Sequence, residues 1–481
     1  MAWRMLIPVL GFVACDPEGS SMDPAGDPTV VDPTVTDGSD PQDPDGSDAD
    51  PTWYQDVAPL LADRCSACHR AGGIGPFSVE TYEAAVPWGP AIGASIESGS
   101  MPPFYAVDDA LCDTRLDWVD DPTLSDAEKQ LVYDWVDADM PEGDPATAVP
   151  AVVRPPEDLS AEEIDVELPI QEPFAVEGDG DIYECFRIPM PNTERRWITA
   201  LQVVPDNELV VHHVLVWNDP NDTSAGQAGS DGAYGCSGFP DIFPTELVGT
   251  WTPGAQPVRT PPNTGTPVEV GASLVLNVHY HPTGTTTEFD RTTLRIQWTD
   301  QEPEQYASWF MVDVPFGAAV QPGPNDVGRP EFRIPAGVPD HVETVQMWFT
   351  SLLFSADMTV FAITPHMHYL GTDMLVTIDH TDDLQDDCLV HTPGFRFDFQ
   401  RDYTYDASTG PLPVIHRNDR VRVQCMYDNS ESNPYLPLHL EASGQDAPHD
   451  VWWGEETSDE MCMAIIGLIV PKEGWSPFSW F

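Results

Sequence analysis

The stretch LVLNVHYH, residues 274–281, alternates in polarity. Leu276, Val278 and Tyr280 fall on one side, and Asn277, His279 and His281 on the other. A period of two is the mark of a β-strand, whose successive side chains point to opposite faces. One face is apolar and packs, while the other presents imidazoles. Similar runs recur from about residue 161 onward: RWITALQVV, LVVHHVLVW, TTLRIQWT, MTVFAITPHMHYL and RVRVQCMY. Gly, Pro, Asn and Asp separate them, which predicts short strands folded as β-sandwiches. The region is long enough for two such domains, placed at 161–303 and 304–481.

Upstream the period changes. WYQDVAPLLADRC and LSDAEKQLVYDWVDADM carry helical periodicity, and LSDAE has the form of a helix start. These residues define a small all-α domain at 53–146. The Pro-rich passage PATAVPAVVRPPEDL marks a linker at 147–160. Residues 16–52 are rich in Asp and Pro and contain no Lys or Arg. Such a segment buries too little apolar surface to offset its ordering entropy, so it reads as a disordered, self-repelling tether. The first fifteen residues, MAWRMLIPVLGFVAC, read as an export signal, with Arg4 as the positive end and Leu6 to Ala14 as the apolar run. The ending FVAC resembles a bacterial lipobox, which would make Cys15 the lipidated first residue. An ordinary signal peptide is the alternative. The expected location is therefore periplasmic or on the cell surface of a bacterium, with membrane contact only through the lipid.

The 481 residues carry 80 acidic and 20 basic side chains, a formal net charge of -60. That balance argues against nucleic acid, which needs clustered Lys and Arg, and against electrostatic binding to anionic lipid. Acidity this diffuse is a solubility device rather than a binding surface. The oligomeric state is not legible. No P-loop, H-E-x-x-H or nucleophile elbow is present.

CSACH, Cys65 to His69, has the C-x-x-C-H form of covalent c-type haem attachment. Two thiols add to the haem vinyl groups, and His69 is placed to take the iron. A disulfide, a zinc half-site and a thioredoxin-like pair are the alternatives. Export and flanking helices favour haem. SGSMPPFYA offers Met101 as the distal ligand, with Met140 as the other candidate. The stretches DVAPLLADRCSACHRAGGIGPFSVETYEAA, SGSMPPF and WVDADMPEGDP resemble the small cytochrome c module of bacterial secreted oxidoreductases, which supports Met101.

Histidines cluster in three places: His212 and His213 in VHHVLVW, His279 and His281 in NVHYHPTG, and His366 and His368 in PHMHYLG. Three close pairs are hard to explain as independent structural histidines. Neutral imidazole suits copper, zinc, iron and nickel. On a strand His366 and His368 share a face and Met367 points away. Adjacent His212 and His213 normally point apart. They can share one metal only at an irregular backbone such as a bulge, or by using different ring nitrogens.

The order HH, HY, HMH and DEMC over residues 180–481 resembles the copper type II, ascorbate-dependent monooxygenases. That group includes the peptidylglycine α-hydroxylating and dopamine β-monooxygenases. The resemblance implies two facing jelly-roll-like sandwiches, each holding one copper. The first copper would take His212, His213 and His279, and the second His366, His368 and Met461, with His281 as a neighbour. A thioether ligand favours Cu(I), and zinc sites rarely use methionine. The second copper would activate O2 and hydroxylate a C–H bond of a small organic substrate, and the first would pass the second electron. Electrons would come from ascorbate or from the fused haem. A copper and haem electron-transfer or sensing protein without hydroxylase activity is the competing expectation. Some positions depart from the family. An arginine anchor is replaced by Thr364, and a tyrosine and an asparagine by Met463 and Ile465. A peptidylglycine carboxylate therefore finds no matching anchor. The resemblance also implies disulfides Cys185–Cys236 and Cys425–Cys462. Cys112 and Cys388 pair with each other or stay free, and the sequence leaves both open.

Overall fold

The computed structural model describes residues 50–71, 73, 75–151, 158–178, 180–324, 326–349, 357–381 and 385–472. The export signal, Cys15 and nearly all of the acidic tether lie outside them. Among the described residues the chain is mostly β-sheet, with 24 strands and five α-helices. No described helix is long and apolar enough to cross a membrane.

Four of the five described helices lie in the first third, and the fifth is Leu436–Ser443. Ala58–Arg64, Gly89–Glu97 and Asp126–Asp137 enclose an apolar cluster of Trp53, Val57, Leu61, Ile96, Val132 and Trp135. The last of these three starts as its sequence predicts. The Ser125 side chain accepts from the Glu128 amide, and the Glu128 carboxylate accepts from the Ser125 amide at 2.7 Å. Such a reciprocal cap satisfies backbone donors that the first turn leaves open.

Residues 104–118 leave this cluster and pack elsewhere. Phe104, Ala106 and Leu116 enter an apolar core built mainly from residues 306–470. Trp118 forms a β-bridge with Tyr405, and Val107 N donates to the His391 carbonyl. A disulfide joins Cys112 to Cys388, the pairing that the sequence left open. Cys185–Cys236 and Cys425–Cys462 are also bonded. Three disulfides fit a protein exported to an oxidising compartment.

The strands surround two further apolar cores. One draws on residues 170–296, including Leu201, Val214, Leu274, Leu276 and Ile296. The other is the core that Phe104 enters. The strand Gln305–Val312 joins the two halves: it pairs with Met463–Pro471 along its length and touches Glu246–Trp251 at Trp309↔Leu247. Between the halves lies a third cluster containing Trp217, Leu247, Trp309, Met311, Phe361, Met461 and Ile465.

The opening stretch falls on the strand Ser273–Tyr280, which is buried along both faces. Leu274, Leu276, Val278 and Tyr280 fill the first core, while Val275 packs into the third cluster. Burying each of these side chains contributes roughly 1.5–3 kcal/mol. Asn277 and His279 on the other face are buried as well, the strand lying between Val211–Asp219 and Ile182–Pro189, while His281 just past the strand is exposed.

Candidate metal centre

His213 and His279 are directly paired across Val211–Asp219 and Ser273–Tyr280. The next partners are Tyr280 and Val211, so His212 is an extra residue at a bulge. A bulge opposes two residues to one and re-aims the side chains beside it. It resolves the problem of adjacent histidines. The Nδ1 atoms of His212 and His213 lie 3.2 Å apart, and those of His213 and His279 lie 3.4 Å apart. Possible ligand atoms of all three residues fall within 4.8 Å of one another. Metal–imidazole bonds of about 2.0–2.1 Å, at tetrahedral angles, place nitrogens roughly 3.3 Å apart.

Burial and the neighbouring imidazoles push His212 down to about 3 and His213 well below the usual histidine range. The rings are neutral at pH 7, and their converging nitrogens can act as acceptors toward a cation. Tyr183 stacks on His279 with ring centroids 4.3 Å apart. Behind His279 stands Asp181. Its Oδ2 lies 3.2 Å from His279 Nε2, close but not aligned for a hydrogen bond, and its Oδ1 is 2.8 Å from His281 Nδ1. Burial opposes ionisation of Asp181, but the His279 and His281 rings outweigh it and hold the carboxyl well below its usual range. His281 therefore supports the cluster through Asp181 rather than joining it. A carboxylate behind a ligating imidazole orients the ring and raises its basicity.

The second set lies across the same pocket. The strand Met358–His366 ends at His366, so His368 sits just past the strand rather than on it. The two rings still approach, with centroids 5.2 Å apart. Met367 is fully buried in the second core, and its side chain lies over Gly371, where a Cβ would come within 2.9 Å of the sulfur. Met461, by contrast, lines the pocket with both histidines. Glu460 places it there. One Glu460 oxygen accepts from His368 N at 2.9 Å and Met461 N at 3.3 Å, and the other from Leu370 N at 2.6 Å. A single buried carboxylate thus ties the histidine turn to a methionine 93 positions on. Burial pushes Glu460 up to about 8, and the three amides pull the other way.

Ring orientation is also fixed. His368 Nδ1 donates to the Asp459 carbonyl at 3.1 Å, and His366 Nδ1 pairs with Gln400 Oε1. Both contacts leave Nε2 as the free acceptor. The first set converges through Nδ1 and the second presents Nε2. Burial pushes His366 down to about 4 and His368 to about 3. Phe397 lies between the sets, 5.3 Å from His212 and 5.9 Å from His368 by ring centroid.

The pocket has a volume of about 90 Å³. Leu215, Phe239, Trp251, Met311, Met463 and Ile465 form its apolar wall. Thr364 lines it and donates to the half-buried Asp402, which also accepts from Thr250. No Lys or Arg lines it among the described residues.

The C-x-x-C-H segment lies beside this region. Cys65 and Cys68 are free thiols. His69 Nδ1 is 3.3 Å from the Phe77 carbonyl, which leaves Nε2 open. The Cys68 sulfur abuts Gly254, where a Cβ would lie 3.0 Å away. Gly254 follows Trp251, Thr252 and Pro253, which line the pocket. Met140 is committed to packing: its sulfur would meet a Cβ at Gly89 at 2.2 Å, and it joins the helical core. Met101 is half-buried in the loop before Phe104.

Asp181, Gln400 and Asp402 carry no periodicity or motif that separates them from other polar residues. Only Glu460 had a signal, its place beside Met461 in DEMC.

No family model matches the chain, and no curated protein matches it. Among solved structures, the major capsid protein P2 of bacteriophage PM2 aligns at 9% identity and a TM-score of 0.26, covering 65% of this chain and 98% of that one. The infectious bursal disease virus VP2 subviral particle aligns at 7% identity and a TM-score of 0.18, covering 68% and 76%. Likenesses this low carry no argument about function.

Proposed function

We propose that the chain is an exported copper-dependent monooxygenase with a covalent haem c, hydroxylating a C–H bond of a small, largely apolar organic substrate. One observation carries the reading: two donor sets of different chemistry flank one pocket, a cluster of three imidazoles of which His212 and His213 line it, and the lining pair His366 and His368 with the thioether of Met461. The donor atoms fit copper. The Nδ1 spacing matches a shared cation, and Met461 adds a soft ligand suited to Cu(I). His212, His213 and His279 would hold one ion, and His366, His368 and Met461 the other. Bound copper supplies one-electron exchange and activation of O2 toward a C–H bond, giving an alcohol and water. The chain's residues do the rest. Gln400 and the Asp459 carbonyl fix the tautomers, Glu460 brings Met461 to the histidines, and the apolar wall excludes water and receives the substrate.

Cys65, Cys68 and His69 fit haem attachment, with Met101 as the distal ligand because Met140 is packed away. Haem or ascorbate would supply electrons, and covalent fusion raises the effective concentration of the donor. The architecture accompanying this reading is a cytochrome c-like domain at 53–146 followed by two jelly-roll-like sandwiches at 161–303 and 304–481. Lipidation at Cys15 would tether the protein to a bacterial membrane.

The test is metal analysis followed by anaerobic redox titration of the copper-loaded protein, then addition of O2 with small apolar or phenolic substrates. The expected result is two coppers and one haem iron per chain, with O2 uptake matched by hydroxylated product. Full metal content without product selects the electron-transfer or sensing reading. A Met461→Ile variant with full hydroxylase activity would overturn the ligand assignment.

A further inference from the structure

The strand Val211–Asp219 divides its side chains between two environments. Val214 and Val216 enter the first core, and Leu215 and Trp217 the cluster between the halves. A period of two puts His213 on the same face as Leu215 and Trp217. His213 and Leu215 line the metal pocket, whereas Trp217 lines a second cavity further along the strand. Four residues of strand span about 13 Å. Phe239, Met311 and Glu455 line both spaces, so the two cavities share a wall.

Their sizes differ. The metal pocket, about 90 Å³, is smaller than the ~150 Å³ that takes a benzene ring. The second cavity, about 440 Å³, falls within the roughly 300–1,000 Å³ of small-molecule sites. Its lining is aromatic: Trp217, Phe239, Phe243, Trp309 and Phe310 contribute rings. No Lys, Arg or His lines it among the described residues. Phe243 is exposed, which marks the side open to solvent.

Two buried side chains of this wall are incompletely satisfied. Trp217 and Glu246 are 4% and 5% exposed. Ser308 donates to one Glu246 oxygen at 2.6 Å, but the other oxygen and the Trp217 indole N–H have no partner among the described residues. Burial pushes the Glu246 carboxyl up to about 8, so at pH 7 it is the acid, with its proton on the oxygen that Ser308 leaves open. Buried donors without an acceptor are rare in native proteins and call for an explanation.

We propose that this cavity binds an uncharged aromatic molecule carrying a hydroxyl or carbonyl oxygen, with its ring among the wall aromatics and its oxygen accepting from Glu246. Aromatic pairs add to the stabilisation that burial alone provides. An anion would meet Asp241, Glu246 and Glu455 with no base to receive it. A cation would leave water for a wall whose one fully buried carboxyl is protonated. On the monooxygenase reading, on which the next role rests, the cavity holds the body of the substrate and the reacting end passes Phe239 and Met311 into the metal pocket.

The test is calorimetric titration of the full-length chain at pH 7 with naphthol, naphthoate and naphthylmethylamine, which share a ring system and are neutral, anionic and cationic. Naphthol is expected to bind at one per chain, about tenfold tighter than either ion. Glu246→Leu should weaken naphthol about fivefold, while Glu246→Gln, which keeps a donor, should retain it. Phe243→Ala, at an exposed position, should weaken it about threefold. The proposal is overturned if naphthol does not bind, if the amine binds as tightly, or if Glu246→Leu and Phe243→Ala both bind naphthol like wild type. Naphthol bound in this way but never hydroxylated by the copper-loaded chain supports the cavity and counts against the hydroxylase reading alone.

Discussion

Replacing Glu460 tests how the second donor set is assembled. The Glu460 side chain is fully buried and accepts three backbone N–H groups, from His368, Leu370 and Met461. Glu460→Ala leaves all three donors unpartnered in a dry site. At roughly 1–3 kcal/mol for each buried unsatisfied group, the loss is on the order of 3–9 kcal/mol. That is a large share of the roughly 5–15 kcal/mol that holds a typical native protein together. Glu460→Gln is the gentler variant. Its amide oxygen can serve His368 and Met461, but its NH2 then faces the Leu370 N–H, for a loss of about 1–3 kcal/mol. Hydrogen exchange reads this locally. Each 1.4 kcal/mol is about tenfold in opening, so the amides of 368, 370 and 461 should lose about tenfold to hundredfold protection in Glu460→Gln. Amides of Ser273–Tyr280, in the other half of the chain, should stay unchanged. On the proposed ligand assignment, copper content should fall by one per chain, because Met461 is no longer held to the histidine turn. Unchanged exchange at 368 and 461, together with full copper content, would show that Glu460 does not organise the set.

Three further expectations follow from packing and charge. Glu246 is buried, among the described residues only Ser308 donates to it, at 2.6 Å, and burial pushes its carboxyl up to about 8. The folded state holds a proton that the unfolded chain releases above about pH 4.5, so stability falls as pH rises from there to about 8. Glu246→Gln should remove that slope and gain on the order of 3 kcal/mol at pH 7, measured as denaturation midpoints across pH; an unchanged slope would place the titration elsewhere. Cys112→Ser opens a loop of 276 residues, and removing such a bridge typically costs about 2–5 kcal/mol. Limited proteolysis should then cut within residues 104–118 first, and wild-type resistance there would refute the anchoring role of the disulfide. Gly254 has φ +82° and abuts the Cys68 sulfur, so Gly254→Ala should cost about 1 kcal/mol in backbone strain and disturb its contact with Cys68, the proposed haem-attachment thiol. A haem absorption spectrum identical to wild type would argue against that contact.

Much of the β-structure was legible because strand period and burial agree. LVLNVHYH reads as a strand and is one, since its apolar face meets a core. RVRVQCMY likewise forms the strand Arg420–Tyr427, with an alternating burial pattern. The capping box at Ser125 was legible because its chemistry is local. Residues 104–118 were not. Their anchors are Cys388, His391 and Tyr405, almost 300 positions on, and nothing local marks a segment that packs against such distant strands. The strand end at His366 was also missed, because the turn is held by Glu460 and not by the residues of PHMHYLG.

The sequence alone determined which residue types were available: paired imidazoles, a thioether beside a cysteine, and a C-x-x-C-H segment. It also determined the strands that carry most of them, through alternation. Only the tertiary structure decided which of them meet. A one-residue bulge at His212 turns two adjacent imidazoles toward one point, and sheet pairing adds His279. A buried carboxylate holds Met461 at the histidine turn, whereas Met367 is buried in its own core. These outcomes depend on register, burial and long-range hydrogen bonds, which arise only when strands far apart in the chain pack together.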